Sequence, residues 1–162
     1  MGAKIIACAS SQDKLDFAKK AGAEVLIDYS REDWREALKA ASQGRGIDVI
    51  YDAVGGPYTE PALRSIGWKG RLLVVGFAAG DIPKIPLNLA LLKGCEIVGV
   101  FWGEFIKREP DVQRQNMQEL LSWAAEGKLS THVHAIYPLA DIGKAMGELS
   151  SRRAQGKVLI KL

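Results

Sequence analysis

The sequence contains few of the residues that build metal centres and disulfide frameworks. Among 162 residues there are two cysteines and two histidines. Cys8 and Cys95 each lie in an apolar run that predicts a buried strand, with no Cys or His companion at metal-ligand spacing. His132 and His134 share one face of a predicted strand without a third ligand nearby, which favours solvated edge-strand histidines over a metal pair. We therefore expect neither a disulfide nor a metal site.

Long apolar runs and blocks of like charge are also missing. The longest apolar runs have the length of strands, which argues against a membrane span. The chain carries 22 basic and 19 acidic residues, and the basic ones are dispersed, so a nucleic-acid partner is not indicated. The first residues lack the pattern of a signal peptide, and we expect a cytoplasmic protein. Gly-x-Ser-x-Gly, Walker and His-Glu-x-x-His motifs are absent as well.

What the sequence does contain is a regular alternation of strand-length apolar runs and helical periodicities. The predicted strands are 4–9, 24–28, 47–52, 71–75, 96–101, 132–137 and 157–162. The predicted helices lie between them, ending near glycines 22, 44, 67 and 94, and include a long helix at 110–126 with Leu120, Leu121 and Ala124 facing inward. No linker divides the chain. This pattern predicts one α/β domain over residues 1–162 with a mostly parallel sheet.

Two of the predicted strands end in glycines. Gly46-Ile-Asp-Val-Ile-Tyr-Asp-Ala-Val-Gly-Gly56 is followed by Gly70-Arg-Leu-Leu-Val-Val-Gly-Phe-Ala-Ala-Gly80. In a parallel sheet, such strand ends place bare backbone at the carboxyl edge, where ligands bind. The glycines could instead serve only tight strand-to-helix turns. Two such ends in succession favour a floor for a ligand.

Polar side chains follow the first two predicted strands. Ser10, Ser11 and Lys14 come just after one strand, and Tyr29 follows the next. The corresponding edge of a doubly wound sheet is where a dinucleotide's adenosine ribose is recognised. An acidic residue would accept a hydrogen bond from a ribose hydroxyl, whereas small hydroxyls and a lysine suit a 2′-phosphate. The alternative is a capping serine beside a solvated lysine.

Taken in order, these motifs resemble one known superfamily. Ala-Ser-Ser-x-x-Lys, Ala-Gly-Ala-x-x-x-Ile-Asp-Tyr, the two glycine-ended strands and Gly-Lys-Val-Leu-Ile are similar to the medium-chain dehydrogenase/reductase pattern. The closest similarity is to its zinc-independent quinone oxidoreductase branch, the zeta-crystallin-like enzymes. Asn88-Leu-Ala-Leu-Leu-Lys-Gly and Gly99-Val-Phe-Trp-Gly103 resemble its quinone-oxidoreductase-like subgroup. The resemblance extends over essentially the whole chain.

The resemblance implies a Rossmann-like doubly wound fold and NADPH-dependent hydride transfer to a quinone or an activated carbonyl or enone compound. It implies a 2′-phosphate pocket of Ser10, Ser11, Lys14 and Tyr29, joined by Arg152. Backbone groups of Gly76, Phe77 and Ala78 would meet the carboxamide, and Trp102 and Gly103 would approach the nicotinamide or the substrate. The ribose–nicotinamide region would be lined by Val54 and Gly55. The family also implies a homodimer through the strand Glu96–Phe101, paired antiparallel with its twin.

The sequence departs from the family pattern at its beginning. The chain starts at what should be the second Rossmann strand, without the first strand, the glycine-rich pyrophosphate loop or the N-terminal catalytic domain. We therefore expect a partial NAD(P)-binding domain, inactive alone and weak in binding NADPH. The alternatives are a non-catalytic binding or assembly module and a domain of a zinc-type alcohol dehydrogenase relative. Because the missing strand is central, we expect its neighbours to close up on each other or to be completed by a second chain.

Overall fold

Strands and helices alternate through residues 2–162, the part of the chain that this computed structural model describes. The strands are β1 (Ile6–Ala9), β2 (Val25–Asp28), β3 (Ile47–Asp52), β4 (Ile66–Val74), β5 (Glu96–Gly99), β6 (Val133–Pro138) and β7 (Lys157–Lys161). The helices are α1 (Gln12–Lys20), α2 (Trp34–Ala41), α3 (Thr59–Arg64), α4 (Asn88–Lys93), α5 (Trp102–Arg108), α6 (Pro110–Ala125) and α7 (Ile142–Ser150). The predicted α/β class is confirmed.

The chain forms two compact units, and all its paired strands are parallel. The first unit, Met1–Trp102, contains the sheet β1–β2 and the sheet β3–β4–β5. The second unit, Gly103–Leu162, contains the sheet β6–β7. Parallel strands need crossover connections, which the intervening helices supply. The carboxyl ends of paired strands therefore lie at a common edge of each sheet.

The strands that would flank the missing Rossmann strand do not close up on each other. Among the described residues, β1 is hydrogen-bonded only to β2, and β3 only to β4. Of the two expected outcomes, the direct pairing of β1 with β3 is not observed, because each strand keeps its own sheet and leaves its other edge open. Completion by a second chain stays a prediction.

One core of the first unit lies between β4 and the helices α3 and α4. It consists of Leu63, Ile66, Leu72 and Leu89, and the side chains of Leu63 and Leu72 are fully buried. Truncating such a leucine to alanine costs about 2–5 kcal/mol, so this cluster firmly holds α3 and α4 on the sheet. It supports the loops that follow β3 and β4.

A second core of the first unit is built on α2. Trp34 and Leu38 are four residues apart, so they lie on one face of the helix, and both pack on Ile27 of β2. Tyr29 and Tyr58 pack against the same cluster from the loops after β2 and β3. This core therefore positions two loops at the carboxyl edge.

Strand β4 begins five residues earlier than the sequence predicts. Ile66 pairs with Ile47, where the sequence predicts a helix ending at Gly67, and the register then shifts before Val49. A Cβ atom on Gly46 would lie 2.3 Å from the Cα atom of Gly67, so the two backbones cross in direct contact. That long-range contact extends the strand, and a local glycine signal does not reveal it.

The predicted strand 96–101 is too long at its carboxyl end. β5 stops at Gly99, and α5, a helix that the sequence pattern does not predict, begins at Trp102. The α5 helix is supported by ion pairs from Glu104 to Arg108 at 2.9 Å and to Lys107 at 3.8 Å. These pairs stabilise a helix where the apolar residues favour a strand.

The expected burial of three groups of residues needs correction. Leu120, Leu121 and Ala124 of α6 do not face inward, since no residue of that helix is buried. In this unit it is α7 that packs with the β6–β7 sheet, through the buried Ala145. Cys8 is exposed, and Cys95 is half-buried just before β5. No helix within residues 2–162 has both the length and the hydropathy needed to cross a membrane.

Candidate nucleotide-binding site

The loops after β3 and β4 join into one floor at the carboxyl edge. The amides of Val75 and Gly76 donate to the carbonyl oxygen of Asp52, at 2.9 and 3.3 Å. The amide of Ala78 donates to the carbonyl oxygen of Ala53 at 3.1 Å. The structure thus brings together the predicted site residues Val54, Gly55, Gly76, Phe77 and Ala78.

The Asp52 carboxylate organises this floor, a role that sequence reasoning missed. Its Oδ1 atom accepts hydrogen bonds from the amides of Val54 at 3.0 Å and Gly55 at 2.9 Å. Its Oδ2 atom accepts from the hydroxyl of Thr59, a buried residue, at 2.5 Å. An aspartate that accepts from the amide two residues later forms an Asx turn, and that spacing was readable in the sequence.

Gly55 is required by both its conformation and its surroundings. Its φ of +70° and ψ of −150° lie in a region that is essentially restricted to glycine. A Cβ atom there would come within 2.8 Å of Cδ1 of Phe77. The floor is therefore bare backbone at this point, with the partly exposed Phe77 ring beside it. Such a cradle fits a flat ligand group lying against backbone.

The serines and Lys14 lie at the carboxyl end of β1. Ser11 is at the N-cap of α1 but makes no side-chain capping bond to the described residues of that helix. The Ser11 hydroxyl therefore does not cap α1, as the alternative interpretation of this residue would require. Ser10 is exposed, and Lys14 is half-buried one turn into α1. Two small hydroxyls and an ammonium group here suit an anionic ligand group.

The pairing of β1 with β2 brings Tyr29 to the same edge. Ala9 is in register with Asp28, and the Tyr29 amide donates to the carbonyl oxygen of Ala9 at 3.0 Å. The Tyr29 ring, however, packs on Tyr58, with 4.7 Å between ring centroids. Tyr58 belongs to the short turn that follows Gly55, so this aromatic pair joins the serine–lysine corner to the floor. Tyr58 is a second residue that sequence reasoning missed.

Asp28 ends β2 as a carboxylate with a lowered pKa. Its Oδ1 atom accepts hydrogen bonds from the hydroxyl of Ser30 at 2.6 Å and from the Ser30 amide at 2.9 Å. These bonds, led by the one from the hydroxyl, lower the pKa of Asp28 from its ordinary value, and nearby Arg31 adds to the effect. Asp28 is therefore ionised at neutral pH and bound to its own turn.

Three further residues that the sequence analysis considers, Arg152, His132 and His134, lie in the second unit. Arg152 follows α7 with a left-handed φ of +58°, and its amide donates to the carbonyl oxygen of Leu149. Nε2 of His134 lies 3.8 Å from Oε2 of Glu148, and the carbonyl oxygen of His132 accepts from the amide of Lys157. Within residues 2–162, no group of three or more His, Cys, Asp or Glu side chains is arranged to hold a metal ion.

Comparison with known protein families agrees with this arrangement of loops. Residues 1–126 match the family described as zinc-binding dehydrogenase. The chain belongs to this family. It corresponds to the C-terminal, nucleotide-binding part of medium-chain dehydrogenases/reductases, which confirms the predicted resemblance. Among curated relatives, quinone oxidoreductase-like protein 2 homolog of Nematostella vectensis is 38% identical over 160 residues, covering 98% of this chain and 44% of its own.

Solved structures of the family share the fold. A quinone oxidoreductase of Pseudomonas syringae pv. Tomato superposes with a TM-score of 0.87 at 29% identity, covering 99% of this chain and 50% of its own. An NAD-dependent alcohol dehydrogenase superposes with a TM-score of 0.85 at 27% identity, covering 99% of this chain and 44% of its own. A mycobacterial protein solved with NADPH superposes with a TM-score of 0.86 at 26% identity, covering 99% of this chain and 49% of its own. The chain thus spans about half the length of the relatives it matches, and a nicotinamide cofactor is supported.

Proposed function

We propose that this chain is the nucleotide-binding part of an NADPH-dependent, quinone oxidoreductase-like enzyme that transfers hydride to a quinone or an activated carbonyl or enone. The observation that carries the proposal is the Ser11 hydroxyl, which makes no capping bond among the described residues and precedes Lys14 by one helical turn, in a corner that the Tyr29–Tyr58 contact joins to the glycine floor. The family relationship supports the reaction class, and a neighbour solved with NADPH supports the choice of cofactor. The substrate and turnover belong to the whole protein.

The serine–lysine corner is the proposed determinant of NADPH over NADH. A 2′-phosphate carries up to two negative charges and accepts several hydrogen bonds. Lys14 would supply a charge-assisted bond, and Ser10 and Ser11 would supply hydroxyl donors. Tyr29 would contribute through its hydroxyl, because its ring is held by Tyr58.

The floor is the proposed support of the nicotinamide end. When bound, the nicotinamide supplies the hydride, and the protein supplies position and a dry surface. Gly55 would let the ribose or ring lie against backbone, and Val54 and Phe77 would flank it. The amides of Gly76 and Ala78 already donate within the protein, so we expect carbonyl oxygens of this loop to accept from the carboxamide NH₂.

The proposal is tested by titrating NADPH and NADH separately into the 162-residue chain by calorimetry. We expect NADPH to bind more tightly than NADH. Lys14→Ala should weaken NADPH binding about tenfold or more and leave NADH unchanged, because a hydrogen bond to a charged group contributes about 1.5–3 kcal/mol. Lys19→Ala, on the exposed last turn of the same helix, is the matched control. Equal affinities for the two cofactors, or an unaltered NADPH affinity in Lys14→Ala, would contradict the assignment.

An NAD-dependent alcohol dehydrogenase relative is the second candidate, since one structural neighbour carries that name. A preference for NADH in the same titration would favour it. A non-catalytic binding module is the third. Turnover of a quinone with NADPH by the 162-residue chain would exclude the module, whereas cofactor binding without turnover is expected for the nucleotide-binding part alone.

We further propose that the chain acts in the cytoplasm as a homodimer through the segment Glu96–Phe101. Among the described residues, β5 pairs only with β4, which leaves its other edge open. Ile97 is 40% exposed and Phe101 is 76% exposed. An open apolar edge strand readily pairs with another strand. The family resemblance favours a twin chain as the partner.

A further inference from the structure

A wide cleft runs beside α2 and α3 of the first unit and has no part in the proposed cofactor site. Its volume is about 970 Å³, within the range of small-molecule sites. One end is lined by Gly56 and Pro57, and the other by Gly46 and Gly67, where β3 and β4 begin. Most of its wall therefore lies toward the amino edge of the sheet, away from Gly76–Ala78.

The cleft holds an unusual concentration of positive charge. Its charged lining consists of two carboxylates, Glu36 and Glu60, and six cations: Arg35, Lys39, Arg45, Arg64, Lys84 and Lys93. The cleft thus carries a net charge of +4, while the whole chain carries only +3, so the rest of the chain is slightly acidic. Because a cleft concentrates the field of its charges, it attracts multivalent anions.

Some of this charge has a purely structural explanation. Lys39, Arg64 and Lys93 each lie in the last turn of a helix, where a cation stabilises the helix dipole. Arg64 is also paired with Glu60 at 2.6 Å. Arg45 and Lys84, in contrast, lie in loops, and neither has an ion pair among those found in the described residues. These two loop cations are therefore not needed for helix stability.

An aromatic side chain on the cleft wall narrows the class of ligand. Trp68 is 73% exposed, although an indole of this size is usually largely buried. The ring edge lies over Gly94, where a Cβ atom would come within 2.2 Å of its Cζ3 atom. Glycine at this position lets the ring lie against the chain at the cleft wall. An exposed π-face beside cations can stack a nucleobase while the cations hold phosphates.

We propose that this cleft binds a nucleoside polyphosphate, with Arg45 and Lys84 on the phosphates and Trp68 on the base. None of the residues assigned to NADPH lines the cleft, so we expect both ligands to bind at the same time. The cations at the helix ends add long-range attraction.

The test is calorimetry of the 162-residue chain with two probes, ATP and inorganic tripolyphosphate, with and without saturating NADPH. ATP should bind at one site, about tenfold more tightly than tripolyphosphate, since base stacking on an aromatic side chain contributes about 1–3 kcal/mol. Raising the salt concentration should weaken the binding of both probes. The double variant Arg45→Glu/Lys84→Glu should weaken both probes by at least about tenfold. Lys20→Glu, an exposed cation on α1 outside the cleft, should leave both unchanged.

Trp68→Ala should remove the advantage of ATP over tripolyphosphate and leave tripolyphosphate binding intact. The charge variants remain informative if loss of Trp68 unfolds the chain, because Arg45 and Lys84 are exposed. Three results would overturn the proposal: one-for-one displacement of ATP by NADPH, equal loss of ATP binding in Lys20→Glu and the double variant, or no dissociation constant below about 1 mM.

Discussion

Gly55 and Phe77 are in such close contact that a methyl group on the glycine would lie 2.8 Å from Cδ1 of the phenylalanine ring. The contact joins the loop after β3 to the loop after β4. We predict that Gly55→Ala lowers the free energy of unfolding and weakens NADPH binding, because the chain must relieve both a strained backbone and a steric clash. Urea denaturation and calorimetry measure the two effects.

The matched control is Gly80→Ala. Gly80 also has a left-handed φ, of +96°, but has open space where a Cβ atom would be. Backbone strain alone costs about 1–3 kcal/mol, and the clash at Gly55 should add about 1–3 kcal/mol. Equal destabilisation by the two variants would show that the Phe77 ring moves aside to accommodate the added methyl group, and that the floor is not rigid.

The Asp52 carboxylate should be the main polar support of the floor. Asp52→Ala removes the acceptor for the amides of Val54 and Gly55 and for the Thr59 hydroxyl. We expect it to lower the free energy of unfolding by about 2–4 kcal/mol in urea denaturation. Thr59→Val should lower the free energy of unfolding by about 1–2 kcal/mol. Thr59→Ser keeps the hydroxyl and should lower it by less. A Thr59→Ser variant as unstable as Thr59→Val would show that the methyl group, not the hydrogen bond, is what matters.

Gly99→Pro should prevent dimer formation without unfolding the chain. The amide of Val100 donates inward to the carbonyl oxygen of Val74 at 2.9 Å, so by alternation the amide of Gly99 points to the open edge of β5. Proline there removes an outward donor and spares the pairing with β4. Sedimentation should give a concentration-dependent dimer for the parent chain and a monomer for the variant, with the same circular dichroism. A monomeric parent chain at all concentrations would refute the proposed dimer.

Ser30→Ala should raise the pKa of Asp28 toward its ordinary value, because the hydroxyl bond is the largest cause of the lowering. Because the pKa of Asp28 is lowered in the folded state, its ionised carboxylate stabilises the fold at pH values above 3.8, the ordinary pKa of an aspartate. This contribution disappears as the pH falls through the lower, folded-state pKa. Carboxyl-carbon NMR titration measures the pKa directly. Ser30→Thr keeps the hydroxyl and serves as the control, and an unchanged pKa in Ser30→Ala would contradict the assignment.

Local patterns were enough to predict the elements whose stability is local. The bounds of β3 follow from a β-branched run between glycines, and Gly94 ends α4 in the left-handed conformation expected of a C-terminal glycine. The burial of Trp34 and Leu38 follows from their spacing on α2. In each case the interaction that determines the structure joins residues close together in the sequence, so the pattern of residue types is enough to predict it.

The predictions were wrong where contacts between residues far apart in the sequence determine the local structure. Gly67 looks like the end of a helix, but its contact with Gly46 places it inside β4. The site residues at strand ends were predictable, because parallel topology brings such ends to one edge. The packing of Tyr29 on Tyr58 was not, since a ring's neighbour depends on the three-dimensional path of two loops.

The backbone crossing of Gly46 and Gly67 has a practical consequence for engineering the protein. Because a methyl group on Gly46 would lie only 2.3 Å from the facing Cα atom, neither strand start has space for a larger residue, an inserted tag or a spectroscopic label. The exposed residue Gly80 has no neighbour at that position within 4 Å. A fluorophore or peptide epitope intended to report on ligand binding is therefore better attached at an exposed neighbour such as Asp81 than at Gly80 itself, whose φ of +96° would strain any side chain.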